Sequence, residues 1–251
     1  MGPPRRPLLA VALACAAALA ASPAAAEPFL DLFTGVSDTE SADVRIEQPA
    51  AGNDFKIRNL AFDGEAFEDP PYYGVRVGYF FEGVPWLGLG LEFFHFKVLG
   101  DTRATREVTG TRGGAPIAAA VPVDSVVQNF DISHGVNYLM VDVLARYGFL
   151  KDPDDYPNGR LQVYVGAGVG PVITHAETEI ENVKSEPGYE LGGVGVQGFA
   201  GIRFLLFRYL GVFVEGKITH SSLTVGVARG GEASLDETTK HVVFGLTAVF
   251  P

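Results

Sequence analysis

From Leu161 the chain reads Leu-Gln-Val-Tyr-Val-Gly-Ala-Gly-Val-Gly. Leu161, Val163, Val165, Ala167 and Val169 are apolar, and Gln162, Tyr164, Gly166, Gly168 and Gly170 stand between them. Alternation of period two places successive side chains on opposite faces of a β-strand. The pattern recurs about eight times, over residues 29–36, 73–82, 86–96, 137–149, 161–170, 194–204, 212–219 and 241–250. One face of each strand is valine, leucine and aromatic. The other is glycine with isolated charges of both signs, as in Gly74, Arg76 and Gly78, or Gly88, Gly90 and Glu92. A sheet with one wet face carries lysine and glutamate there. Glycine with sparse mixed charge fits the crowded interior of a small barrel whose apolar face meets lipid.

Strand length agrees. The alternating runs are about 9–13 residues, enough to cross a bilayer at a tilt of ~45°. The connections alternate too. Residues 82–85, 150–159 and 205–210 are short links, and residues 37–71, 99–136, 175–191 and 221–240 are long ones. Short turns at one end and long loops at the other are the asymmetry of an outer-membrane barrel. Within the first loop Phe55-Lys56-Ile57-Arg58 still alternates, so strands one and two are expected to extend as a hairpin beyond the membrane. The second loop, with Gly113-Gly114-Ala115-Pro116 and an alanine run, reads as flexible.

The N-terminus is of another kind. Arg5 and Arg6 precede an apolar run from Leu8 to Ala21, and Ala24-Ala25-Ala26 supplies a small-x-small cleavage site before Glu27. Residues 1–26 therefore read as a secretory signal peptide and residues 27–251 as the barrel domain. The single cysteine, Cys15, falls in the signal, and Ala12-Leu13-Ala14 before it is a poor lipoprotein box. The mature chain then has no thiol and no disulfide. The formal charge of −11 becomes −13 when Arg5 and Arg6 are removed. That excess argues against nucleic acid and against docking on an anionic lipid surface. Much of the acid lies in the long loops, as Asp38, Glu40, Asp43, Glu47 and Asp54 in the first, and Glu177, Glu179 and Glu181 in the third.

The strands Val75-Arg76-Val77-Gly78-Tyr79-Phe80-Phe81 and Val163-Tyr164-Val165-Gly166-Ala167-Gly168 resemble those of the eight-stranded outer-membrane β-barrels of Gram-negative bacteria. So do Val214-Glu215-Gly216-Lys217-Ile218-Thr219-His220 and the last strand ending at Phe250. The similarity, to OmpA-type and Opa- or OmpW-like surface barrels, covers nearly all of residues 27–251. It implies an all-β, antiparallel, up-and-down transmembrane barrel in the outer membrane. It implies lipid and lipopolysaccharide as surroundings, and a monomer with no cofactor. The family's C-terminal aromatic is read by the barrel-assembly machinery; here that residue is Phe250, with Pro251 after it.

Three chemistries follow. The inward face carries Asp31, Arg76, Glu92, Asp142, Arg146, Arg203, Glu215 and Lys217, four acids and four bases. In a narrow lumen they must pair, because an unpaired buried charge costs several kcal/mol. They are expected to plug and specify the barrel, which makes the protein a non-catalytic surface scaffold with acidic outer loops. The alternative is an OmpW-like passage for small hydrophobic molecules, at which Phe80, Phe94, Phe96, Phe199 and Phe213 hint. A remoter alternative is a lipid A-modifying hydrolase. His220 and Ser222, with Glu232, Asp236 and Glu237 beyond, resemble the serine-base arrangement of the outer-membrane deacylase, although Leu223 replaces that family's asparagine. Gly193-Val194-Gly195-Val196-Gln197-Gly198 matches a dinucleotide fingerprint but lies inside a strand, where no phosphate-binding helix start can follow. The five histidines, His95, His134, His175, His220 and His241, show no metal-ligand spacing. Tyr72, Tyr73, Tyr79, Trp86, Tyr147, Tyr164 and Tyr209 fall near strand ends, as interfacial girdles would.

Overall fold

The computed structural model describes residues 26–186 and 188–250, with the backbone alone at Ala26 and His134. Residues 1–25 of the segment 1–26 read as a signal peptide, with Arg5, Arg6 and Cys15, lie outside the described residues, as does Pro251. Fifteen strands and three short 3-10 turns follow in order. They are β1 (Ala26–Thr39), β2 (Ala42–Gln48), β3 (Asn53–Leu60), β4 (Phe62–Asp63), β5 (Tyr73–Phe81), β6 (Val84–Gly100), β7 (Thr105–Arg112) and β8 (Ala115–Pro122). Then come β9 (Val127–Phe149), β10 (Leu161–His175), β11 (Glu177–Ile180), β12 (Val183–Lys184), β13 (Tyr189–Leu205), β14 (Leu210–Val227) and β15 (Gly231–Val249). Among the described residues no helix is long and apolar enough to cross a membrane.

Eight of these strands form an antiparallel ring in the order β1-β5-β6-β9-β10-β13-β14-β15. The first and last close it over eleven paired positions, from Phe29 opposite Val249 to Thr39 opposite Thr239. Closure leaves no open edge within the ring. Each alternating run of the sequence lies in one of these strands, so the fold is an all-β, up-and-down barrel. All of the ring strands except β5 are longer than expected, however. β9 has 23 residues, β15 has 19 and β14 has 18.

The extra length builds a second layer beyond the long-loop end. β2 pairs with β15 through Glu47 opposite Glu232, and the sheet continues β2-β3-β7-β8. Two expectations are corrected here. Phe55–Arg58 belongs to a separate hairpin, β2–β3, and not to an extension of strands one and two. The second long loop folds as the β7–β8 hairpin, with Arg112 paired to Ala115 across Gly113-Gly114. Both glycines have positive φ, 57° and 79°, the conformation a two-residue hairpin turn of type I′ demands.

The extra layer has its own apolar core. Val44, Ile46, Phe55, Ile57, Val108 and Val225 are at most 1% exposed. Three hairpin tips meet above it through polar side chains. Gln48 Nε2 donates to the Ala228 carbonyl at 2.8 Å, Asn53 Nδ2 donates to Gln48 Oε1 at 2.9 Å, and the Gly113 amide donates to Asn53 Oδ1 at 2.8 Å.

Candidate functional site

β14 displays how the two faces are used. Its outward residues are Leu210, Val212, Val214 and Ile218, then His220, Ser222 and Thr224, all exposed. Its inward residues are Phe213, Glu215, Lys217, Thr219 and Ser221, then Leu223, Val225 and Val227, all buried. The outward face passes from apolar to polar at the height where the inward face passes from polar to apolar. β15 turns over at the same level. Lys240, opposite Ile218, is the last outward charge, and Val242, Phe244 and Leu246 below it are 53%, 48% and 64% exposed. Below this level the ring is greasy outside and charged inside; above it the order is that of a water-soluble protein.

The inward charges expected from sequence all lie in the lumen. Asp31, Arg76, Glu92 and Asp142 are wholly buried, Arg203 and Glu215 are 1% exposed, Lys217 is 4% and Arg146 is 6%. Arg76 is the hub. Its Nη1 and Nη2 donate to the two oxygens of Glu215 at 2.9 and 3.0 Å, and its Nε donates to Glu92 Oε2 at 2.7 Å. Asp31 and Asp142 stand farther from it, at 3.7 and 3.4 Å. Arg203 Nη2 reaches both oxygens of Asp31 at 3.0 Å, and Thr247 Oγ1 donates to Asp31 at 2.6 Å. Lys217 pairs with Glu92 and lies 3.6 Å from Glu215.

Seven of the eight form one cluster. Arg146 does not join it. It bonds Glu27, which also accepts from Asn158, and its Nε donates to the Pro85 carbonyl at 2.9 Å. Glu27 was hidden from a sequence reading because it precedes the recognisable alternation of the first strand.

Aromatic rings fill the space between charges. Arg76 lies 4.3 Å over Phe199, Arg146 3.7 Å over Phe80, and Lys217 4.2 Å over Phe94. Higher up, Phe94 and Tyr138 stack at 5.0 Å, and His241 meets Phe96 edge-on at 4.8 Å. The inward glycines make room for these rings. A Cβ on Gly166 would run into Phe199, and one on Gly195 into Tyr138. Tyr72 and Tyr164 belong to this interior, at 2% and 4% exposure, and not to an interfacial girdle. Tyr72 shares a hydrogen bond with His241 at 3.3 Å. Trp86, Tyr147 and Tyr209 do face outward near the short-turn end.

Above the rings Glu237, wholly buried, accepts from Tyr138 Oη at 2.6 Å, from Ser221 Oγ at 2.9 Å and from Thr239. Sequence reading placed Glu237 and Ser221 in a loop, because there the inward face changes from polar to apolar.

His220 and Ser222 sit on the outward face of β14, each turned to β15. His220 Nδ1 meets Thr238 Oγ1 at 2.9 Å, and Ser222 Oγ donates to Asp236 Oδ1 at 2.6 Å. The serine thus bonds the acid directly, while the histidine is engaged elsewhere. The glycine-rich segment at Gly193–Gly198 lies wholly within β13. Among the described residues no group of three or more histidine, cysteine or acidic side chains could hold a metal ion. Phe250 follows β15, its amide donating to the Pro28 carbonyl at 3.0 Å.

No family model matches the chain, and no curated protein matches its sequence. Among solved structures it is similar to Neisserial surface protein A, at 7% identity and a TM-score of 0.42, covering 90% of this chain and 97% of that one. It is similar to the outer membrane protein AlkL in lipid bilayers, at 13% identity and a TM-score of 0.43, over 92% of each chain. OprG from Pseudomonas aeruginosa is 13% identical at a TM-score of 0.40, over 90% of this chain and 96% of that one. The closed ring rests on its own strand register.

Proposed function

We propose that this protein is an outer-membrane barrel with a sealed lumen, a non-catalytic scaffold that holds a folded β-layer above the membrane surface. The observation that carries the location is the inversion of both strand faces at Ile218 and Lys240. A closed apolar belt with charges inside it is stable only against hydrocarbon. The observation that carries the sealing is Arg76, a large side chain wholly buried among carboxylates and rings in mid-lumen. Lipid and lipopolysaccharide would surround the belt, and the barrel-assembly machinery would read Phe250. The barrel would work as a monomer without a cofactor.

Liposome swelling tests the sealing. Vesicles holding the folded full chain are expected to exclude sugars and small hydrophobic solutes alike. Rapid entry of either class overturns the sealed scaffold, and entry of hydrophobic solutes alone favours a passage along the ring-lined upper lumen. Mass spectrometry of lipid A from cells with and without the protein is expected to show no difference. An acyl chain lost with the native protein and kept with Ser222→Ala would make it a hydrolase.

A further inference from the structure

The mid-lumen cluster does not balance. Asp31, Glu92, Asp142 and Glu215 are four carboxyls, and with Arg146 drawn away to Glu27 they face three cations, Arg76, Arg203 and Lys217. All seven groups are 4% exposed or less, so water cannot carry the difference. His241 and Glu237, the next titratable groups above, bring no cation. His241 is bound between the hydroxyls of Tyr72 and Thr219 and stands opposite Lys217 across β14 and β15, where a second cation would face the ammonium, and Glu237 is bound among three hydroxyl donors.

The four carboxyls are not equally served. Glu215 has both Arg76 terminal nitrogens, Asp31 has Arg203 and Thr247, and Glu92 has Arg76 and Lys217. Asp142 has one amide donor, Gln197 Nε2 at 2.6 Å, and Arg76 Nε only at 3.4 Å. Its Oδ2 is buried with no hydrogen-bond partner. Gln197 Nε2 also lies 3.3 Å from Glu92 Oε2, so the same amide brings the Asp142 and Glu92 carboxyls side by side. Gly168 on β10 leaves the space into which Asp142 Oδ1 turns. Two adjacent carboxylates can only accept; they become partners when one carries a proton.

We propose that Asp142 is a buried proton-binding site, a neutral carboxylic acid that donates to Glu92 and brings the cluster to charge balance. The inference rests on the sealed-lumen reading. Four acids less one proton then match three cations, and the orphaned oxygen gains its partner.

Infrared spectroscopy of the folded full chain in lipid vesicles at neutral pH tests this, with the heat-dependent gel shift confirming that each variant is folded. The native protein is expected to show a deuterium-sensitive C=O band of a protonated carboxyl. Asp142→Asn is expected to fold like the native chain, since the amide has the shape of the neutral acid, and to lose one carboxyl equivalent of the band. Glu215→Gln leaves three acids on three cations and is expected to lose the same band without touching Asp142. If that variant fails to fold, Asp31→Asn makes the same change of charge. Identical spectra for the native and Asp142→Asn proteins overturn the proposal. So does a band that survives Glu215→Gln and Asp31→Asn, or one equivalent of tightly held metal found by elemental analysis. Solute entry into vesicles with the band intact sinks the sealed lumen and leaves the proton site standing.

Discussion

Arg76 and Glu215, 139 positions apart in sequence, meet through two parallel hydrogen bonds of 2.9 and 3.0 Å across the lumen. A planar guanidinium matched to a carboxylate fixes direction as well as charge. The pair ties β5 to β14, which do not neighbour each other in the ring.

Replacing Arg76 by leucine strands its carboxylate partners. Breaking a buried ion pair by removing one member costs about 3–5 kcal/mol. Arg76→Leu is therefore expected to lower the urea midpoint of the vesicle-inserted barrel by that much stability, read as loss of the heat-dependent gel shift. Arg76→Lys is expected to recover only part, because an ammonium cannot serve Glu215 with a fork and Glu92 at once. A midpoint unchanged in Arg76→Leu would mean that the cluster does not hold the ring together.

The polar clasp of the hairpin tips makes a separate prediction for the outer layer. Gln48 and Asn53 are 0% and 3% exposed and join β2–β3, β7–β8 and the β14–β15 turn. Asn53→Ala leaves the buried Gln48 Oε1 without its partner, at about 1–3 kcal/mol for a buried group left unsatisfied, and frees the exposed Gly113 amide to water. Limited proteolysis is expected to cut the β7–β8 hairpin faster in this variant, while the gel shift of the barrel stays native. Protection equal to the native chain would show that the tips are held by their apolar core alone.

Much of the ring was legible, because alternation reports both faces of a strand at once. The lumen charges were found from Arg76, Glu92 and Arg203 standing among glycines. The outer layer was not legible, and β14 shows why. Leu223, Val225 and Val227 keep the parity of Glu215 and Lys217 but reverse its chemistry. A reader following apolar positions sees the phase slip by one at His220 and ends the strand there, although the backbone runs on. The alanines of β8 gave no alternation to follow, since both of its faces are apolar and exposed or half-exposed. Tyr72 looked like an interfacial residue, and only the chain path from β4 to β5 turns its ring onto His241.

Acid is expected to loosen the outer layer. Partial burial disfavours the Asp43 carboxylate, but the Asn59 amide, Arg58 and Lys56 outweigh it and hold its pKa below the ordinary 3.8. A side-chain hydrogen bond and the charge of Arg45 hold Asp54 below 3.8 as well. Groups depressed by folding stabilise fully above their unfolded value, and that contribution fades as pH falls through the folded one. Asp131 runs the other way, raised chiefly by burial, so its contribution is complete at acid pH and fades on the alkaline side. The protection factors of amides in β2–β3, measured against intrinsic exchange at each pH, are expected to fall below about pH 4, and this sensitivity is expected to vanish in an Asp43→Asn, Asp54→Asn double variant. Protection in β2–β3 with no acid dependence would assign no stabilising part to these ion pairs.

The level at which the faces invert can be tested with one residue type on one strand. Val214 and Thr224 both point outward from β14, on either side of Ile218 and His220. From Ile218 to Thr224 the strand runs roughly 20 Å at ~3.3 Å per residue, so Thr224 stands clear of the apolar belt. Val214→Arg places a charge within the belt and is expected to cost about 2–4 kcal/mol if it lies near the bilayer midplane, falling toward the interfaces. Thr224→Arg adds the same charge to a wet surface and is expected to stay within about 0.5 kcal/mol of the native chain. The measurement is the fraction of urea-unfolded chain that inserts into preformed vesicles, read by the gel shift. Equal insertion of the two variants would take the membrane away from this belt. The valines would then need another cover, because water alone does not stabilise so wide an apolar face.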